Sequence, residues 1–135
     1  MRPSWDEYFL EVAKAVSLRG DCRRSRVGAV LVDDRSKRIL STGYNGVNPG
    51  DVGCLSGGCP RGLLSFDEVP AYSPYDNCHA KHAEANCVEW WRDNSYYIDT
   101  KVTIYITRMP CHECIELLGV YHIDRAVYPD GVMFL

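Results

Sequence analysis

The sequence has no long hydrophobic run. Its longest apolar stretch, residues 27–32 with Gly28 inside it, is far below the roughly 18 residues that a membrane-crossing helix needs, so no bilayer span is expected. It has no excess of basic charge either. Against 18 Asp and Glu there are 15 Lys and Arg, a formal net charge of -3, which lacks the footprint of a protein that grips a long nucleic acid and leaves room for a small anionic ligand. Nor is there a leader pattern at the N-terminus. Met1-Arg2-Pro3-Ser4-Trp5-Asp6-Glu7 puts acidic residues where a signal peptide would begin its apolar core, so a cytoplasmic protein is expected. Internal repeats, low-complexity tracts and interior linkers are missing as well.

What is present reads as one folded domain. A chain of 135 residues can bury a core but has little room for a second domain, so a single domain over 1–135 is expected. Apolar residues at 46% and charged residues at 24% argue against disorder. Cysteine is abundant, at seven. In a reducing compartment an odd number of that size points to metal ligands or working thiols rather than a disulfide framework.

Residues 4–18 space Trp5, Tyr8, Phe9, Val12, Ala13 and Val16 at three- and four-residue steps behind Ser4 and Glu7, a capping box opening an amphipathic helix. Residues 26–32 and 38–44 are β-rich runs joined by Asp33-Asp34-Arg35-Ser36, a predicted antiparallel hairpin. Residues 45–81 are rich in Gly, Pro, Asp and Ser and sustain neither period, and a loop of that length is usually functional or tied down. A helix over 82–93, a strand over 101–107, a helix over 111–119 opened by Pro110 and a strand over 125–128 follow. Two strands separated by a helix call for a right-handed crossover and a parallel pair. The expected fold is therefore α/β, with a mixed sheet that combines the antiparallel hairpin with parallel strands and carries helices on its faces.

His82-Ala83-Glu84 and Pro110-Cys111-His112-Glu113-Cys114 form the strongest chemical signal in the sequence. Cys111 and Cys114 share one helix face in the first turn, where unpaired N–H groups and the macrodipole favour thiolate, the form that binds zinc. His82 supplies a third ligand. Three protein ligands leave a tetrahedral Zn²⁺ one open position for water, as in catalytic sites, whereas a fourth would close the shell and make it structural. Glu84, two residues past His82, can take a proton from that water and return it later. A CxxC pair alone would suit a structural zinc equally well.

His-x-Glu followed by Pro-Cys-x-x-Cys is a known signature of zinc-dependent nucleobase deaminases. With these residues the chain resembles the cytidine deaminase superfamily, and Arg26-Val27-Gly28-Ala29-Val30 with Ser41-Thr42-Gly43-Tyr44-Asn45-Gly46 narrows the resemblance to the deoxycytidylate (dCMP) deaminases, over about residues 5–128. The resemblance implies a cytidine deaminase-like three-layer α/β/α fold, here C-terminally short. It implies hydrolysis of dCMP to dUMP and ammonia, with zinc-held hydroxide attacking C4 of the base and Glu84 shuttling protons to N3 and the departing amine. It assigns zinc to His82, Cys111 and Cys114, and substrate contacts to Asn45 at the sugar, Arg26 at the 5′-phosphate, and Ala83. A second, structural zinc would use Cys22, Cys54 and Cys78 with His79 or Cys59 as the fourth ligand. Relatives are often homohexamers, activated by dCTP and inhibited by dTTP at an allosteric site where a nucleotide would bring Mg²⁺.

Other readings stay open at this level. Gly43-Tyr44-Asn45-Gly46 also suits a tight turn whose residues tolerate positive φ. Arg19, Arg23, Arg24 and Arg26 crowd the approach to the first strand, as a phosphate site or a solvated basic face. Arg108, at the end of a strand, suits a substrate or subunit contact or a surface ion pair. Cys87 is expected in the core and Trp90 and Trp91 in a core or interface, with His112 facing solvent and His122 near a helix C-terminus. The competing functions are a tRNA or single-stranded DNA deaminase, a free-nucleoside deaminase, and an inactive zinc-binding scaffold.

Overall fold

The computed structural model describes residues 1–22, 25–47, 53, 81–94 and 101–135. Helix α1 (Trp5–Ser17) begins at the expected box: Ser4 Oγ accepts from Glu7 N at 3.1 Å, and Glu7 Oε1 accepts from Ser4 N at 3.3 Å. Strands β1 (Gly28–Asp33) and β2 (Ile39–Tyr44) form the hairpin. Helix α2 (Ala83–Asn94), strand β3 (Val102–Ile106), helix α3 (His112–Val120) and strand β4 (Arg125–Tyr128) follow.

A fifth strand, β5 (Gly131–Phe134), was not expected from the sequence. It folds back antiparallel on β4, with Tyr128 opposite Gly131. Pro129-Asp130-Gly131 is a turn signal with a mechanism, fixed φ at Pro followed by residues that tolerate a reversal, and it makes the hairpin local. The sheet order is β2-β1-β3-β4-β5; β3 and β4 are parallel, as the intervening helix requires, and every other neighbouring pair is antiparallel.

Because side chains alternate across a sheet, β1 and β3 feed two cores. Ala29, Leu31, Val102, Ile104 and Ile106 pack under α2 and α3 with Cys87, Val88, Trp91 and Leu118. Val30, Val32 and Tyr105 pack under α1 with Phe9 and Ala13. The result is three layers, helix on sheet on helix. Gly28 lets α1 lie on the sheet: a Cβ there would stand 2.1 Å from Ala13 O. Among the described residues no helix is long and apolar enough to cross a membrane.

The α1 layer is also tied to the sheet by a polar network. Tyr105, fully buried, donates its hydroxyl to Asp6 Oδ1 at 2.7 Å, and Arg125 Nη2 donates to the same oxygen at 3.1 Å. Thr103 Oγ1 donates to Asp34 Oδ1 at 2.6 Å and accepts from Arg125 Nε at 3.3 Å. Burial, reinforced by the Asp6 carboxylate, holds the Tyr105 phenol well above its ordinary range, so it stays a donor at neutral pH. Tyr105→Phe removes the bond to Asp6 and the 3.3 Å bond that Arg125 Nη2 donates to the phenol oxygen, and leaves Asp6 paired with Arg125. It is expected to cost about 1 kcal/mol and to lower Tm by roughly 3–5 °C in a thermal melt, with zinc content unchanged.

Candidate metal centre

Two helix beginnings converge at one end of the sheet. His82 directly precedes α2, whereas Cys111 is the N-cap of α3, with extended backbone at φ -73 and ψ 167. The Cys111 thiol makes no capping bond to the helix, and Cys114 lies in the first turn with 4% of its surface exposed. His82 Nδ1 is 3.2 Å from Cys114 Sγ and 3.5 Å from Cys111 Sγ, and the three ligand atoms all lie within 4.8 Å of one another.

This donor set fits zinc. Tetrahedral bonds of about 2.0–2.1 Å to nitrogen and about 2.3 Å to sulfur place N and S about 3.6 Å apart, close to the separations found here. One imidazole and two thiolates match the softness of zinc and leave one coordination position for a non-protein ligand. Glu84, in the first turn of α2 and only 4% exposed, lies close enough to Cys114 for its charge to act on the thiol.

The electrostatics refine the expectation from sequence. Helix N-termini favour thiolates, yet in the metal-free chain burial pushes the Cys114 thiol far up, helped by the Glu84 carboxylate and by Cys111. The two helix ends do not outweigh desolvation beside a carboxylate. A divalent cation reverses that balance, since it stabilises thiolate directly.

The remaining candidates are placed as follows. Ala83 is fully buried, its carbonyl against Gly43. Asn45, 8% exposed, accepts from Val27 N at 2.9 Å through Oδ1 and donates to Ser25 O at 2.7 Å through Nδ2, so its amide fastens the start of β1. Neither Asn45 nor the glycines beside it has positive φ; Gly43 is needed because α2 lies against it, a Cβ there standing 2.6 Å from Ala83 O and from Cys87 N. At Gly43 close packing is therefore the constraint, whereas a Cβ at Gly46 would meet only ordinary contacts at 3.6 Å and beyond. Arg19 and Arg26 are exposed, and exposed Arg108 reaches Ser25 Oγ at 3.5 Å. Cys22 is half-buried, while Arg23, Arg24, Cys54, Cys59, Cys78 and His79 lie outside the described residues.

Cys87 is in the core, where burial raises its thiol to about 12. Trp91 is buried and Trp90 exposed. His112 faces solvent beside Glu116, 3.0 Å away. His122, just past α3, takes a left-handed φ of 59. Two contributors were not singled out from sequence. Asn86 Nδ2 donates to Tyr44 O at 2.8 Å, and Lys81 forms a backbone bridge with Gly46 and an ion pair with Glu89. The available signal was a polar side chain four residues past His82, on the same helix face.

Residues 3–129 match the family described as the cytidine and deoxycytidylate deaminase zinc-binding region. The chain belongs to this deaminase family. Deoxycytidylate deaminase of Mycobacterium phage D29 is 45% identical over 136 residues, covering 95% of this chain and 96% of the phage protein. Deoxycytidylate deaminase of Schizosaccharomyces pombe is 36% identical over 94% of this chain, which spans only 37% of the yeast protein. The crystal structure of dCMP deaminase from cyanophage S-TIM5 in complex with dCMP and dUMP superposes with a TM-score of 0.69 at 24% identity, over 95% of this chain and 82% of that one, and shows the same deaminase fold.

In a deaminase metal centre of this composition the ligands must shed their protons to bind the ion. Zinc affinity is therefore expected to fall stepwise as pH is lowered from 8 to 6 in a chelator-competition titration. Cys114→Ser is expected to weaken binding by more than the roughly 10–100-fold typical of losing an outer-shell partner.

Proposed function

We propose that the chain is a zinc-dependent hydrolase that converts dCMP and water to dUMP and ammonia. The observation that carries the reading is the buried Glu84 carboxylate set against the His82, Cys111 and Cys114 cluster. A purely structural zinc has no use for a carboxylate there. The choice of dCMP is supported by the phage D29 relative, similar along nearly the whole length of both chains.

His82, Cys111 and Cys114 hold the ion. Bound Zn²⁺ supplies Lewis acidity and brings the pKa of water near 7. Glu84 is the proton carrier: its carboxylate takes a proton from the attacking water and delivers it to N3 as oxygen bonds to C4. It then takes the remaining proton from the new C4 hydroxyl and passes it to the amino group as the C4–N bond breaks, which leaves a carbonyl at C4 and ammonia. Burial keeps bulk water from competing for those protons. Asn45 faces the sugar, Ala83 borders the base, and Arg26, whose guanidinium suits a phosphate, meets the 5′-phosphate.

The same reading, drawn from the family resemblance, gives Cys22, Cys54, Cys78 and His79 a second, structural zinc. It extends to a cytoplasmic homo-oligomer, a hexamer, regulated by dCTP and dTTP with Mg²⁺. Metal analysis checks the second zinc: two zinc ions per chain are expected, and one ion at full activity contradicts it.

Ammonia release from dCMP, deoxycytidine, CMP and a cytosine-containing oligonucleotide tests the function. Turnover of dCMP is expected, with most of kcat/KM lost when the phosphate is absent. Glu84→Gln should keep its zinc and lose about 10²–10⁴-fold in kcat or more. Equal rates on deoxycytidine and dCMP, or activity on the oligonucleotide alone, overturn the substrate assignment.

A further inference from the structure

We propose that Asn86 is a positioning residue whose side-chain amide sets the 44–46 turn, and with it Asn45, at a fixed place relative to the metal-binding start of α2. The proposal rests on reading Asn45 as a nucleotide contact. Asn86 Nδ2 donates to Tyr44 O at 2.8 Å and lies 3.4 Å from Lys81 O. A primary amide carries two hydrogens, so one nitrogen can serve both carbonyls.

Those carbonyls belong to the two segments that must be held together. Tyr44 O is part of the same peptide group as Asn45 N, which donates to Val27 O at 3.3 Å, so that peptide plane is held from both sides. One residue on, Gly46 N donates to Lys81 O at 3.0 Å and Lys81 N donates to Gly46 O at 2.8 Å. Lys81 is the residue before His82, and its ion pair with Glu89 fastens it to the body of α2. Asn86 is itself tied to the ligand residue, its backbone N donating to His82 O at 3.0 Å. A single half-buried side chain thus spans the turn that carries Asn45 and the chain entering His82.

Positioning matters here because a reactant held out of register by about 1 Å can lose about 10²-fold in rate. The role needs a donor. Both partners are carbonyl oxygens, which only accept, so a carboxylate of the same shape would turn lone pairs toward lone pairs.

Asn86→Ala and Asn86→Asp, loaded with zinc, are compared with the wild type in kcat and KM for dCMP, zinc content, and amide hydrogen exchange over residues 44–46. Zinc content is expected to be unchanged. In Asn86→Ala, kcat/KM should fall about tenfold, mostly through KM, and the Gly46 amide should exchange faster. Asn86→Asp should be worse than Asn86→Ala. A side chain that merely fills space predicts the opposite order, because Asp matches Asn in shape. Near wild-type kinetics in Asn86→Asp, or unchanged Gly46 exchange in Asn86→Ala, overturns the proposal. Should either variant fail to fold, Asn86→Gln, which keeps the donor but displaces it, takes the same measurements, and wild-type values in both kinetics and exchange overturn the proposal. A wild-type chain inert on dCMP overturns the substrate assignment instead, and the exchange comparison still decides the clamp.

Discussion

At Gly43 the backbone of β2 meets the first turn of α2 so closely that a Cβ would stand 2.6 Å from Ala83 O and from Cys87 N. No other residue leaves that space. The contact sets how far the start of α2 stands from the sheet, and His82, Ala83 and Glu84 sit at that start. Ser41 Oγ adds a bond to Cys87 O at 2.8 Å, which fixes the helix one turn further along. On the other side of the centre, α3 is placed by the parallel β3–β4 crossover, which brings Cys111 and Cys114 in after the C-terminal end of β3, where α/β sheets receive ligands. The metal centre is where the starts of these two helices meet.

A carboxylate and two thiols share a poorly solvated corner, and the Cys114 thiol is driven toward its neutral form by burial and by Glu84. The remainder of the fold holds the groups there regardless. Two apolar clusters, one on each sheet face, and the Asp6–Tyr105–Arg125 network on the side of α1 supply packing that owes nothing to the site. A divalent ion held by His82, Cys111 and Cys114 would stabilise both sulfurs as thiolates.

Much of this was legible in the sequence because the signals are local. The Ser4–Glu7 box, the helical spacing of Phe9 and Ala13, and the turn cluster at 33–36 each depend on neighbours a few residues away, and the corresponding elements form as expected. The His82, Cys111 and Cys114 set was legible because metal chemistry restricts residue type and spacing together. β5 was missed although Pro129-Asp130-Gly131 announces a reversal, since Gly131–Phe134 is short and half-exposed and gives no clear alternation of apolar and polar residues. The packing constraint at Gly43 was not legible because it comes from a helix far along the chain. Asn86 was illegible for the same reason: its partners are main-chain carbonyls of Tyr44 and Lys81, and no residue type marks a carbonyl.

The central claim is that His82, Cys111 and Cys114 form a three-ligand zinc site whose open position Glu84 serves as proton carrier. A crystallographic anomalous-difference map collected at the zinc absorption edge tests it most directly. The account predicts a peak about 2.0–2.1 Å from His82 Nδ1 and about 2.3 Å from each of Cys111 Sγ and Cys114 Sγ, with a non-protein fourth ligand within hydrogen-bonding reach of the Glu84 carboxylate. No peak at that position, or a fourth protein side chain closing the shell, would contradict it.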